Sequence, residues 1–248
     1  LGPWAEHDSC GVGFVADING RPSHRIVRQA LQAISRLGHR GAIAADLKTG
    51  DGAGVLTQLP RNFFARHIRS LGEPSVDPHA IAVAMVFFDS RDPRGAHRFR
   101  TLVEEVCGDR GIRLVGWREV PVDTSVLGTG ARDSKPDIRQ ALLVRNPAIA
   151  SAEDYERFLY LARREITGRA SREALEAHYV VSMSSRTIVY KGLVVGTELG
   201  HFYADLNDPE FTSALAVFHQ RYSTNTHPTW QLVHPFRLLA HNGEINTL

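Results

Sequence analysis

Apolar and polar positions along the chain follow two periods, and the switches between them mark its elements. From Cys10 to Ile18 the segment CGVGFVADI interleaves small, apolar and β-branched residues and stops at Asn19-Gly20, which predicts a strand and a tight turn. Ser23 then stands where a helix cap belongs, ahead of Ile26, Val27, Ala30, Leu31, Ile34 and Leu37. Their three-to-four-residue spacing predicts one apolar helical face, with Gly38 placed to end the helix. The loop HRGAIAADLKTGDGAG leads to a predicted strand over 55–59 and a short helix after Pro60. Residues 81–88 form an unbroken apolar run, the pattern of a strand buried on both faces. A helix is expected through Leu102 to Val106, ending near Gly108. A second is expected over 152–169, with Tyr155, Phe158, Leu159 and Ala162 on one face. Further strands are predicted over 112–120, 141–145, 179–183, 188–189, 214–219 and 236–240. So many strands out of strict alternation with helices predict stacked sheets with helices outside, rather than a doubly wound Rossmann sheet. No segment repeats and no linker-like tract interrupts the chain, so one domain is expected.

Composition removes several classes of function. The 248 residues are 43% hydrophobic and 23% charged, the profile of an ordinary globular protein rather than a disordered one. Lys and Arg number 29 against 27 Asp and Glu, and a net charge of +2 gives no electrostatic footprint for nucleic acid. The longest apolar run, Ala80 to Phe88, is about half of the roughly 20 residues that a membrane-spanning helix needs. The 2 cysteines, Cys10 and Cys107, are far apart and outside any Cys-x-x-Cys arrangement. Neither a disulfide framework nor a thiolate zinc site is predicted, and a reducing, cytoplasmic location fits best. The opening LGPWAEHDS has no basic or apolar region of a signal peptide. Leu1 in place of an initiator Met, and an end at HNGEINTL without a cap, read as cut ends of a longer chain.

The chemistry-bearing residues each admit a structural and a functional reading. Cys10 opens a strand beside Gly11 and Gly13, although a lone cysteine there is most often a small buried hydrophobe. Cys107 shares a helical apolar face with Val103 and Val106 and is read as structural. The glycine-rich Gly50 to Gly54 lacks both the P-loop Lys-Ser/Thr ending and the Gly-x-Gly-x-x-Gly spacing. A tight turn whose backbone approaches another element is expected instead. His227, His234 and His241 are evenly spaced but lack zincin spacing and an acidic companion, so no metal site is expected. His39-Arg40-Gly41 reads equally as a basic surface turn or as support for a site. Arg221 ends an apolar strand, where its guanidinium would either clamp a carboxylate or form a structural salt bridge. Asn242-Gly243 is by default a type I′ turn, but a side-chain amide beside a glycine N–H can also form an oxyanion hole.

Five segments in order, CGVGF at 10–14, LGHRGA at 37–42, TGDGAGV at 49–55, HQRYSTNTHPTW at 219–230 and HPFRLLAHNGEINT at 234–247, carry a resemblance over nearly the whole chain. Together they resemble the N-terminal glutaminase domain of the glutamate synthase large subunit, a class II glutamine amidotransferase. TGDGAG and STNTHPTW favour that family over amidophosphoribosyltransferase and glucosamine-phosphate synthase relatives.

The resemblance implies an α+β fold, the N-terminal-nucleophile hydrolase αββα four-layer sandwich with two stacked antiparallel sheets. It implies hydrolysis of L-glutamine to glutamate and ammonia. By position, Cys10 matches the nucleophile, Arg221 the α-carboxylate ligand, Asn242 and Gly243 the oxyanion hole, and Thr224 a substrate contact. Asn225 stands where other class II enzymes can have His, and Arg40 is a possible support. An acidic residue for the substrate α-amino group lies farther downstream in the family, so the domain, 10–248, is expected to be truncated at its C-terminus. In this fold the nucleophile's own α-amine is the base, and a peptide nitrogen cannot serve, its lone pair being delocalised. Residues 1–9 are therefore expected to be a propeptide cleaved between Ser9 and Cys10. No cofactor is expected in this domain; FMN and an iron–sulfur cluster are implied elsewhere in the full-length protein. The implied partners are the remaining synthase domains and a small electron-transfer subunit. Two alternatives stand beside this reading: a catalytically silent precursor or structural module of the same fold, and a class II amidotransferase with a different acceptor.

Overall fold

The computed structural model describes residues 11–37, 49–220 and 228–236. Eight strands follow the expected runs: β1 Gly11–Ala16, β2 Ala53–Gln58, β3 Ile81–Phe88, β4 Arg113–Glu119, β5 Asp137–Val144, β6 Tyr179–Ser184, β7 Thr187–Gly192 and β8 Leu215–Gln220. The helices are α1 His24–Arg36, α2 Arg61–Ser70, α3 Pro93–Asp109, α4 Thr129–Asp133, α5 Ala152–Arg172 and α6 Leu199–Phe202. The expected cap at Gly38 and, of the strand expected over 236–240, all but Phe236 lie outside the described residues.

Among the described residues every strand pair is antiparallel, in two four-stranded sheets ordered β1-β8-β2-β7 and β4-β5-β3-β6. With helices packed on them, this is the α+β, two-sheet arrangement that the resemblance implies. The eight apolar residues of β3 are all buried and divide by parity. Ile81, Val83, Met85 and Phe87 enter a core shared with the first sheet, α1 and α2. Ala82, Ala84, Val86 and Phe88 enter a second core lined by α3 and α5. A strand lined on both faces needs no polar alternation, which is why this segment reads as a continuous run.

Two local expectations are corrected. Ser23 occupies the N-cap of α1 in extended conformation, but its hydroxyl makes no capping bond. Its backbone is bridged to Ser213, with N–H···O distances of 3.0 and 3.3 Å in the two directions. On α5 the buried residues are Tyr155, Leu159, Ala162, Ile166 and Ala170, whereas Phe158 is 37% exposed. Spacings of four, three, four and four residues keep one stripe, and Phe158 falls a quarter-turn off it.

A buried polar cluster joins the two sheets. Arg118 of β4 donates to both oxygens of Asp205, at 2.7 and 2.8 Å, and to Gln140 of β5 at 2.8 Å. Tyr190 of β7 donates to Asp205 at 2.7 Å and accepts from Gln140 at 2.8 Å. The turn from β6 to β7 is fixed by α5: Glu156 accepts from the hydroxyls of Ser184 and Ser185 and from the Ser185 N–H, at 2.6 to 2.8 Å.

Candidate active site

Four strand ends meet at one end of the first sheet. Gly11, where β1 begins, is the register partner of Gln220, where β8 ends, and Gln220 also faces Ala53 at the start of β2. Ala53 in turn faces Gly192, the last residue of β7. The row is made of residues with little or no side chain, apart from the buried Gln220. A methyl on Gly11 would sit 2.9 Å from Leu37 Cδ1 at the end of α1, so that helix rests directly on the first strand.

The glycine-rich stretch before β2 behaves as expected of a turn that lets backbones approach. Gly52 has φ +121°, a conformation open to glycine, and a side chain there would strike Val233. On β2, a methyl at Gly54 would lie 2.4 Å from the His234 carbonyl oxygen. The segment 228–236 therefore lies on this turn in backbone contact.

Further contacts hold that segment. Trp230 packs against Gly192 and donates its indole N–H to the Ala131 carbonyl of α4 at 3.2 Å. Lys191 of β7 donates from Nζ to the carbonyls of Gln231, at 2.7 Å, and Val233, at 2.8 Å. The same ammonium lies 4.6 Å from the centre of the Phe236 ring. Lys191 is 1% exposed, and burial pushes its ammonium down to about 7. His234 is buried in ring contact with His219 and Phe236, at 4.7 and 4.5 Å.

Sequence reasoning missed Lys191. The signal was present in TIVYKGLVV, a charge set inside an apolar strand, the same argument that singled out Arg221. Cys107 is fully buried in the second core, which pushes its thiol up to about 12, as a structural cysteine should be. Cys10, with Ser9, Arg40, Arg221, Thr224, Asn225, Asn242 and Gly243, lies outside the described residues, as do His227 and His241. Their described neighbours in sequence, Gly11 and Gln220, are the facing pair at the sheet end. Among the described residues no three His, Cys, Asp or Glu side chains are grouped to hold a metal ion. Among the same residues no helix is long and apolar enough to cross a membrane.

The family model for glutamine amidotransferases class-II matches residues 10–248. The chain belongs to this family. Class II amidotransferase domains of three larger proteins are similar along 99% of the chain. The identities are 46% to ferredoxin-dependent glutamate synthase 2 of Synechocystis, 42% to the glutamate synthase [NADPH] large chain of Azospirillum brasilense and 40% to that of Bacillus subtilis. The chain spans 16% of the length of each of these relatives. The chain is thus similar both to a relative named for ferredoxin and to relatives named for NADPH.

Proposed function

We propose that this domain hydrolyses L-glutamine to glutamate and ammonia through a thioester on Cys10. The observation that carries the reading is the facing pair Gly11 and Gln220. The positions next to them in the chain are Cys10 and Arg221, the proposed nucleophile and α-carboxylate ligand. The family match begins at Cys10 and leaves Leu1 to Ser9 outside it, which supports removal of those nine residues as a propeptide.

After cleavage the free α-amine of Cys10, with an unperturbed pKa of roughly 7.7–8.0, takes the thiol proton near neutral pH. The sulfur attacks the carboxamide carbon, and the Asn242 side-chain amide and the Gly243 N–H stabilise the oxyanion. The α-ammonium returns the proton to the departing nitrogen, so that ammonia leaves as the C–N bond breaks. Water then adds to the thioester and releases glutamate and the thiol. Arg221 and Thr224 hold the substrate, while Arg40 and Asn225 support the pocket.

In the longer protein the ammonia passes to a synthase site that holds FMN and an iron–sulfur cluster and is served in the cytoplasm by a small electron-transfer subunit. The supporting observation is the similarity along 99% of the chain to proteins named glutamate synthase.

Intact mass of the purified protein, before and after treatment with an electrophilic glutamine analogue, tests the reading. A mature chain beginning at Cys10 that gains one adduct at that thiol, with Cys10→Ala gaining none and losing hydrolysis, is expected. Hydrolysis by Cys10→Ala at the parent rate would sink it.

A further inference from the structure

The contacts of Lys191 are unusual for a lysine inside a sheet. Its ammonium serves no carboxylate in the contacts described: it donates to two backbone carbonyls of another segment, those of Gln231 and Val233, and rests on the Phe236 ring. A buried ammonium is costly to desolvate, and an apolar side chain of similar length would fill the same space without that cost. What the lysine adds is a fixed position for residues 231–236. From Phe236 the chain runs only six residues to Asn242. Trp230 and the glycines Gly52 and Gly54 fix the same segment from its other sides.

We propose that Lys191 is a positioning residue for glutamine hydrolysis, setting the register of the segment that continues into Asn242 and Gly243. The proposal rests on the reading of those two residues as oxyanion donors. In this role Lys191 acts through the backbone of 231–236 and not on the substrate itself.

The test uses the full-length enzyme and its Lys191→Met variant, with two readouts. One is glutamine hydrolysis, resolved into kcat and KM. The other is alkylation of Cys10 by iodoacetamide, which displaces iodide at a tetrahedral carbon and needs no oxyanion donor. A displaced oxyanion hole should lower kcat on the order of 10²-fold while KM and the alkylation rate stay within about 3-fold of the parent. Should Lys191→Met not fold, Phe236→Leu removes the ring beneath the ammonium, and a drop in kcat of about 10-fold with alkylation intact is expected. An unchanged kcat overturns the proposal. So does a parallel loss of hydrolysis and alkylation, which marks general collapse of the pocket. A parent enzyme that neither hydrolyses glutamine nor alkylates at Cys10 overturns the nucleophile reading and this role with it. Failure of the Lys191 role alone shows a normal parent and a normal variant.

Discussion

Gly54 and Lys191 stand directly opposite each other on β2 and β7 and meet the same segment in opposite ways. Gly54 admits the His234 carbonyl by having no side chain, and Lys191 reaches two carbonyls with a long one. None of the three nearest neighbours of a Gly54 methyl is the free end of a flexible side chain: they are a backbone oxygen, the Lys191 Cβ and the ring Cδ of Pro235. Gly54→Ala should therefore destabilise the domain by about 1–3 kcal/mol, as overpacking does, and slow glutamine hydrolysis. Gly168, exposed on α5 with nothing within 4 Å of an added Cβ, is the control. Its change to Ala should stabilise by about 0.5–1 kcal/mol through helix propensity. Unfolding midpoints of the two variants that move in the same direction would contradict this account of Gly54.

The Arg118 and Asp205 side chains are 12% and 3% exposed, so neither charge has solvent to fall back on. Asp205→Ala strands a guanidinium and should cost about 3–5 kcal/mol. The double change Arg118→Met with Asp205→Leu should recover most of that loss, because both desolvation costs disappear together. Chemical denaturation of the single and double variants measures the difference.

His67 predicts a pH dependence. Burial first, and the Arg118 charge second, depress its imidazole from 6.5 to about 4, and its Nε2 is buried with no hydrogen-bond partner among the described residues. Between those two values the unfolded chain holds the proton and the folded domain does not, so stability falls as pH drops from 6.5 towards 4. His67→Leu should flatten that part of the profile. Urea midpoints at pH 7 and pH 5 that shift equally in parent and variant would rule this assignment out.

Cysteine labelling should separate the two thiols. With its thiol up at about 12 and no exposed surface, Cys107 should resist iodoacetamide at pH 8 in the native protein and react once denaturant is added. Peptide mapping that finds Cys107 alkylated natively would mean that the layer of α3 and α5 opens readily.

The parts of this fold legible in the sequence are those governed by local period. The α1 stripe of Ile26, Val27, Ala30 and Ile34 is buried as its spacing predicts. The N-terminal half of β5, Asp137 to Gln140, escaped because three of its four residues are polar: Gln140 is buried in the inter-sheet cluster, and Arg139 pairs with Asp137 and Glu119. Ser23 looks like a cap in sequence, but its backbone partner is Ser213, far along the chain. The charge of Lys191 stood out in its apolar strand, but its partners did not, because its acceptors lie 40 and 42 residues away on a segment without periodicity. The functional motifs were legible as a resemblance, which the family match over 10–248 bears out at the level of the family.

The parity of β3 has a dynamic consequence. Its odd residues are covered by one core and its even residues by the other, so neither side of the molecule can peel away without wetting one row of the strand. Partial opening that spares half of the domain thereby loses its advantage, and β3 amides should exchange with solvent only through whole-domain unfolding. To a protease such a domain is an all-or-none target.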